Sequence, residues 1–193
     1  MIEPIETEHL ILQSMDTELL VQLERGDLEA AQRLVGYRIP HDFVLLRRPA
    51  VTRRLALIRS DPAQHPWMYR AILSKADGEL VGHISFHHRA PDPDLLQYVE
   101  HGAELGYVIE PAHRRKGHGK HSAIAMMAWA SDGFGVRDFV LSISPQNLPS
   151  LRLAESMGFA VIGEQDDPSD GLELVMHATI DRVRRAASTL RTR

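Results

Sequence analysis

A chain of 193 residues, 44% hydrophobic and 25% charged, has the size and composition of one soluble α/β domain and too many apolar residues for a disordered segment. Lysine and arginine number 22 against 26 aspartates and glutamates, a net charge of -4, so the surface as a whole is no footprint for nucleic acid or anionic lipid and any anion site must be local. The chain has no cysteine, which excludes disulfides, thiolate metal ligands and a cysteine nucleophile.

The first residues carry acids where a secretory signal would carry a basic stretch, and no apolar run is long enough to span a bilayer, so a cytoplasmic protein without a membrane partner is expected. Residues 9–14 predict a short strand, and Met15-Asp16-Thr17 opens a helix running toward Arg25. Leu28, Ala31, Leu34 and Val35 mark a second helix. Val51, Leu55 and Ile58, after Pro49, mark a third that ends near Asp61-Pro62. Residues 67–74 and 80–88 flank the turn Ala76-Asp77-Gly78 and predict an antiparallel hairpin, with Trp67, Tyr69 and Phe86 at core positions.

Beyond Pro91 and Pro93, residues 103–109 predict a strand stopped at Glu110-Pro111. A helix over 117–131 and a strand over 138–144 complete a strand-helix-strand crossover. A helix over 147–157 ends at Gly158, and strands follow at 159–163 and 172–178, joined by an exposed acidic loop at 164–171. Arg182, Arg184, Arg185, Arg191 and Arg193 make 179–193 a basic, solvated tail. No repeat or linker divides the chain, so one domain over 1–193 is expected.

The segment with the most chemistry runs from Glu104 to Lys120, where a strand leads into glycines that open a helix. The first turn of a helix leaves main-chain N–H groups unpaired, its dipole adds positive charge, and glycine lets a phosphate approach the backbone. Arg114, Arg115, Lys116 and Lys120 add formal charge. A Walker A loop would need glycine at 114 and serine or threonine at 121, where arginine and histidine stand. A dinucleotide fingerprint would need glycine at 122, where Ser122 stands.

What remains, Arg-x-x-Gly-x-Gly over Arg114 to Gly119, resembles the cofactor motif of the GNAT acetyltransferases. Two further stretches are similar to that family: Glu104-Leu105-Gly106-Tyr107-Val108-Ile109 ahead of the motif, and the block from Ser144 to Phe159, with Asn147, Ser150 and Gly158-Phe159 at the family's separation. Glu-Leu-Gly-Tyr and Asn-x-x-Ser together look most like the RimJ/RimL branch, which contains the ribosomal-protein N-terminal acetyltransferases. The resemblance implies an α/β (α+β) fold with a mixed, mostly antiparallel sheet of six to seven strands, helices on both faces and a splayed central strand pair. It implies acetyl-CoA as cosubstrate. The cofactor would lie on Tyr107, Val108, Ile109, Arg114, Arg115, Lys116, Gly117, His118, Gly119, Lys120, Asn147 and Ser150. The acceptor is a primary amine, first a protein N-terminus and then a small molecule, and related enzymes often form homodimers.

Acetyl transfer needs a neutral amine, a positioned thioester, stabilisation of the carbonyl oxygen and a proton for the leaving thiolate. Strand alternation puts Glu104 on the face of Gly106, which makes it the candidate general base; the plain alternative is an ion-paired strand carboxylate. Gly106 suits a bulge. Ala154 stands where many family members place the tyrosine acid, so Ser150 is the candidate proton donor, against a simple capping role. Asn147 is either a helix cap or a pantetheine contact.

His83, His87 and His88 carry no carboxylates at a ligand spacing, and no metal is expected. His87, His88 or His101 compete with Glu104 as base. A noncatalytic coenzyme binder is the main alternative function. A nucleic-acid module on residues 114–120 is disfavoured by the acidic balance.

Overall fold

The computed structural model of the chain describes residues 2–168 and 171–188. They divide into two units, residues 1–85 with 107–118 and residues 86–106 with 119–193.

In the first unit, β1 (Ile5–Glu6) and β2 (Leu10–Ser14) precede α1 (Thr17–Arg25), α2 (Leu28–Arg33) and α3 (His41–Ser60). The left-handed Gly26, at φ 80°, closes α1, and the Asp27 carboxylate then caps α2 by accepting from Ala30 N–H at 2.8 Å. Leu19, Leu20 and Leu23 form the buried stripe of α1. α3 starts well before the predicted position, with Pro49 inside it. The buried stripe of Val51, Leu55 and Ile58 begins at Phe43 and Val44, while Pro49 lies on the exposed side, where water can satisfy the carbonyl the ring leaves unbonded.

A 3₁₀ turn over Pro62–Trp67 leads into β3 (Arg70–Ser74), which pairs antiparallel with β2 and with β4 (Leu80–Phe86). Trp67 thus ends a turn instead of opening a strand, but it is buried as expected, as are Tyr69 and Phe86. The fully buried Arg70 donates to the carbonyls of Glu3 (3.1 Å), Leu12 (3.2 Å) and Pro66 (3.0 Å), which compensates the desolvation that lowers its pKa to about 10.

The second unit holds the first part of β5 (Gly102–Ile109), most of α4 (His118–Phe134), β6 (Asp138–Ile143), α5 (Leu148–Ser156), β7 (Ala160–Asp167), β8 (Gly171–Thr179) and α6 (Ile180–Ser188). Phe86 stacks on Phe139 with ring centroids 6.2 Å apart. Ser122, Ala123, Met126, Met127 and Ala130 form the buried stripe of α4.

The predicted acidic loop is largely strand: Glu164 to Asp167 continue β7 opposite β8 down to Gly171, and residues 169–170 lie outside the description. The first half of the basic tail is the amphipathic helix α6, with Ile180 and Val183 buried; Arg191 and Arg193 lie outside the described residues. No helix among the described residues is long and apolar enough to cross a membrane.

The sheet has eight strands in the order β1-β2-β3-β4-β5-β6-β8-β7, more than the six or seven expected because the short β1 precedes the first predicted strand. β1 with β2, β2 with β3, β3 with β4, β6 with β8 and β7 with β8 pair antiparallel, while β5 and β6, joined by α4, pair parallel.

Candidate active site

The parallel register of β5 and β6 covers only three pairs, Gly102 with Asp138, Ala103 with Phe139 and Glu104 with Val140. Leu105 and Gly106 on one strand, and Leu141 to Ile143 on the other, run on outside that register. The register these two strands share thus ends at Glu104 and Val140. On its other side β5 remains held by β4. The His87 N–H donates to the Glu104 carbonyl at 2.9 Å, and the Glu110 N–H donates to the Val81 carbonyl at 3.0 Å.

Gly82 on β4 is required for this arrangement and went unnoticed as a motif. A Cβ there would lie 2.2 Å from the Val108 carbonyl oxygen and 3.1 Å from Ile109 Cα. A glycine inside a strand pattern is the signal that would have found it.

The chain then passes through a 3₁₀ turn, Pro111–His113, into the predicted anion turn. Arg115 takes φ 65° and Gly117 φ 83°, left-handed conformations typical of concavities in which successive amides face an anion. For arginine this conformation costs about 1–2 kcal/mol, a strain characteristic of binding loops. α4 begins at His118, so the amides of His118, Gly119, Lys120 and His121 form its open first turn.

The basic side chains divide their duties. Arg115 and Lys116 are exposed, whereas Arg114 folds back so that its Nε donates to the Ile109 carbonyl at 3.0 Å. The Lys120 Nζ donates to the carbonyl (2.8 Å) and hydroxyl (3.1 Å) of Ser156, at the end of α5, and desolvation lowers its pKa. Lys120 therefore neutralises a helix C-terminus, and what it offers an anion here is its amide.

Glu104 is buried. Its side chain is 7% exposed against 38% for His87, and its Oε2 lies 3.3 Å from His87 Nδ1. Gly106 is not among the positive-φ glycines and leaves room for the ring: a Cβ there would sit 3.2 Å from His87 Nε2. Asp92, fully buried, adjoins the pair, and its carboxyl is pushed above the usual range by burial first, with the Glu104 charge adding to the shift.

The other histidines are sorted by burial. His83 is a core residue between Tyr69 and Phe43, its pKa held down to about 3 chiefly by desolvation and secondarily by Arg47. His88 pairs with Asp94 at 3.4 Å, and His101 with Glu100 at 3.8 Å on the open surface. Folding does supply carboxylates the linear spacing lacked: His88, Asp92 and Asp94 place ligand-capable atoms within 4.8 Å of one another.

Asn147 caps α5, its side-chain oxygen accepting from the Ser150 N–H at 3.3 Å. Ala154 is fully buried.

The sequence model described as "Acetyltransferase (GNAT) domain" matches residues 10–160, so the chain belongs to the GNAT acetyltransferase family. That family defines a class, the acetyl-CoA-dependent N-acetyltransferases. Among individual proteins, the uncharacterized N-acetyltransferase YjdG of Bacillus subtilis (strain 168) is 28% identical over 159 residues, 80% of this chain and 88% of that one. The uncharacterized N-acetyltransferase YnaD of the same organism is 27% identical over 79 residues, a match taking in 41% of this chain and 42% of that relative's length.

The fold is shared with the ribosomal-protein-S5-alanine acetyltransferase from Vibrio fischeri (TM-score 0.60, 14% identity, 93% of this chain and 97% of that one). It is shared equally with RimL, the ribosomal L7/L12 alpha-N-protein acetyltransferase (TM-score 0.60, 18% identity, 93% and 96%).

Proposed function

We propose that this chain transfers the acetyl group of acetyl-CoA to a primary amine by direct attack, and that the amine is the N-terminus of a protein or peptide. The observation that carries the reading is the continuity of β5: its pairing with β6 stops at Glu104, and the same strand runs into the left-handed turn at Arg115 and Gly117. An acyl thioester on a long polar arm ending in a pyrophosphate needs those two things in that order, a strand edge for the arm and a cradle of amides for the charge.

In this reading the amides of residues 114–120 hold the pyrophosphate, with Arg115 and Lys116 contributing charge. The main chain at Tyr107, Val108 and Ile109 holds the arm and polarises the thioester carbonyl. Glu104 and its imidazole partner supply basicity for the amine. Asn147 keeps the start of α5 in place, and Ser150, whose amide it binds, offers its hydroxyl to the departing sulfur. The protein N-terminus is supported by the two ribosomal-protein acetyltransferases that share the fold. The domain is taken as the whole of 1–193, acting without nucleic acid or membrane, alone or as a homodimer.

Titration calorimetry with acetyl-CoA and coenzyme A tests the first half: saturable heat is expected, and none at millimolar ligand overturns the assignment. Thiol release with a panel of peptides, polyamines, amino acids and aminoglycosides tests the second half. Preferential turnover of peptides with free N-termini is expected. Turnover of small amines alone moves the acceptor class, and binding without turnover on any amine makes the chain a coenzyme binder.

A further inference from the structure

We propose that His87 is the catalytic base, taking the proton from the attacking amine, and that Glu104 is a positioning residue behind it. The proposal rests on the transferase reading above.

Burial separates the two groups. The Glu104 side chain is 7% exposed and that of His87 38%, so a substrate nitrogen can reach the imidazole where it cannot reach the carboxylate. The pair is held twice: His87 Nδ1 lies 3.3 Å from Glu104 Oε2, and the His87 main-chain N–H donates to the Glu104 carbonyl at 2.9 Å. A carboxylate at Nδ1 draws the ring proton to that nitrogen, so Nε2 presents its lone pair outward. Gly106 leaves room at Nε2, since a Cβ there would crowd it at 3.2 Å. Glu104 and Gly106 are two residues apart on β5 and share one face of that strand, and the imidazole edge lies over that face.

Glu104 approaches the ring from β5, while Asp92 and His88 come from the segment after β4, where His88 is already paired with Asp94.

In the step, the amine nitrogen bonds to the thioester carbonyl carbon, and His87 Nε2 takes the proton that nitrogen must lose. The carbon–sulfur bond breaks with its electron pair going to sulfur. Sulfur gains one proton by way of the Ser150 hydroxyl, which regains one from solvent, and His87 releases its own proton to solvent, so no net proton is consumed.

The test uses H87A, H87Q and E104Q in the full chain, each first shown by calorimetry to bind acetyl-CoA like the parent. Loss of the base should lower kcat by about 100-fold or more in both His87 variants, with KM for acetyl-CoA unchanged and the acidic limb of the kcat/KM pH profile abolished. Added imidazole should restore part of the H87A activity. E104Q still accepts from Nδ1, so it should keep the acidic limb and lose only about tenfold in kcat. Parental kcat and an intact acidic limb in H87Q, with E104Q inactive, would overturn the proposal and return the base to Glu104. Absence of coenzyme binding by the parent chain would instead refute the transferase reading, so the two failures are distinct.

Discussion

The turn at residues 114–120 and the cluster around Glu104 do their work by opposite means. The turn offers main-chain amides, and its side chains are either exposed, like Arg115 and Lys116, or engaged elsewhere, like Lys120 with Ser156. The cluster offers side chains whose value comes from burial and mutual contact, Glu104 against His87 with Asp92 adjoining. A main-chain site should tolerate changes of side chain and fail when the backbone is forced from its conformation. A side-chain site should be sensitive to chemistry and close packing.

The largest effect expected is at Gly82, where G82A brings a Cβ to 2.2 Å from the Val108 carbonyl, backbone that cannot swing aside. Turnover should fall more than about 100-fold and stability by about 2–4 kcal/mol, read from kinetics and urea denaturation. Next comes G117V, which puts a β-branched residue at φ 83°. The dissociation constant for acetyl-CoA should rise about 10- to 100-fold in calorimetry. R115A and K116A should each cost only about threefold, and equal losses in all three variants would break the distinction.

In the cluster, G106A places its Cβ 3.2 Å from His87 Nε2. It should lower kcat about tenfold while leaving KM for acetyl-CoA in place, as a displaced base requires.

The smallest effect expected is at His83. His83 is neutral in its aromatic cage, with its pKa held down to about 3, whereas in the unfolded chain it titrates near 6.5. Below pH 6.5 the unfolded state takes up a proton that the folded state refuses, so the stability present above that pH is lost progressively down toward pH 3. Urea midpoints measured from pH 7 to pH 4 should fall less steeply in H83F than in the parent. Parallel slopes would show that His83 is not the group responsible.

The turn was legible because its signal is local: glycine spacing and a strand-to-helix junction are written in consecutive residues. The early stop in β5–β6 pairing was implied only by family resemblance, since no side-chain pattern encodes where a parallel register ends. The Glu104–His87 contact is formed across the segment 88–101, so strand alternation could nominate Glu104 but not reveal that its carboxylate is buried. Two misreadings share one cause, punctuation taken as structure. Pro49 looked like a helix start and is tolerated on an exposed face of α3. Glu164, Gln165, Asp166 and Asp167 looked like a loop and form the outermost strand, where Gln165 bonds to Ser142 at 3.1 Å and Glu173 at 3.3 Å. At a sheet edge, polar residues are what a strand ordinarily carries.

The left-handed conformation of Arg115 also limits how this sequence can drift. A saturation library at that codon, selected for growth dependent on the enzyme, should enrich glycine and asparagine and lose valine, isoleucine and threonine, although the position is open to solvent. Its variation among descendants would then be governed by torsion instead of by contact, a kind of constraint that burial maps do not reveal.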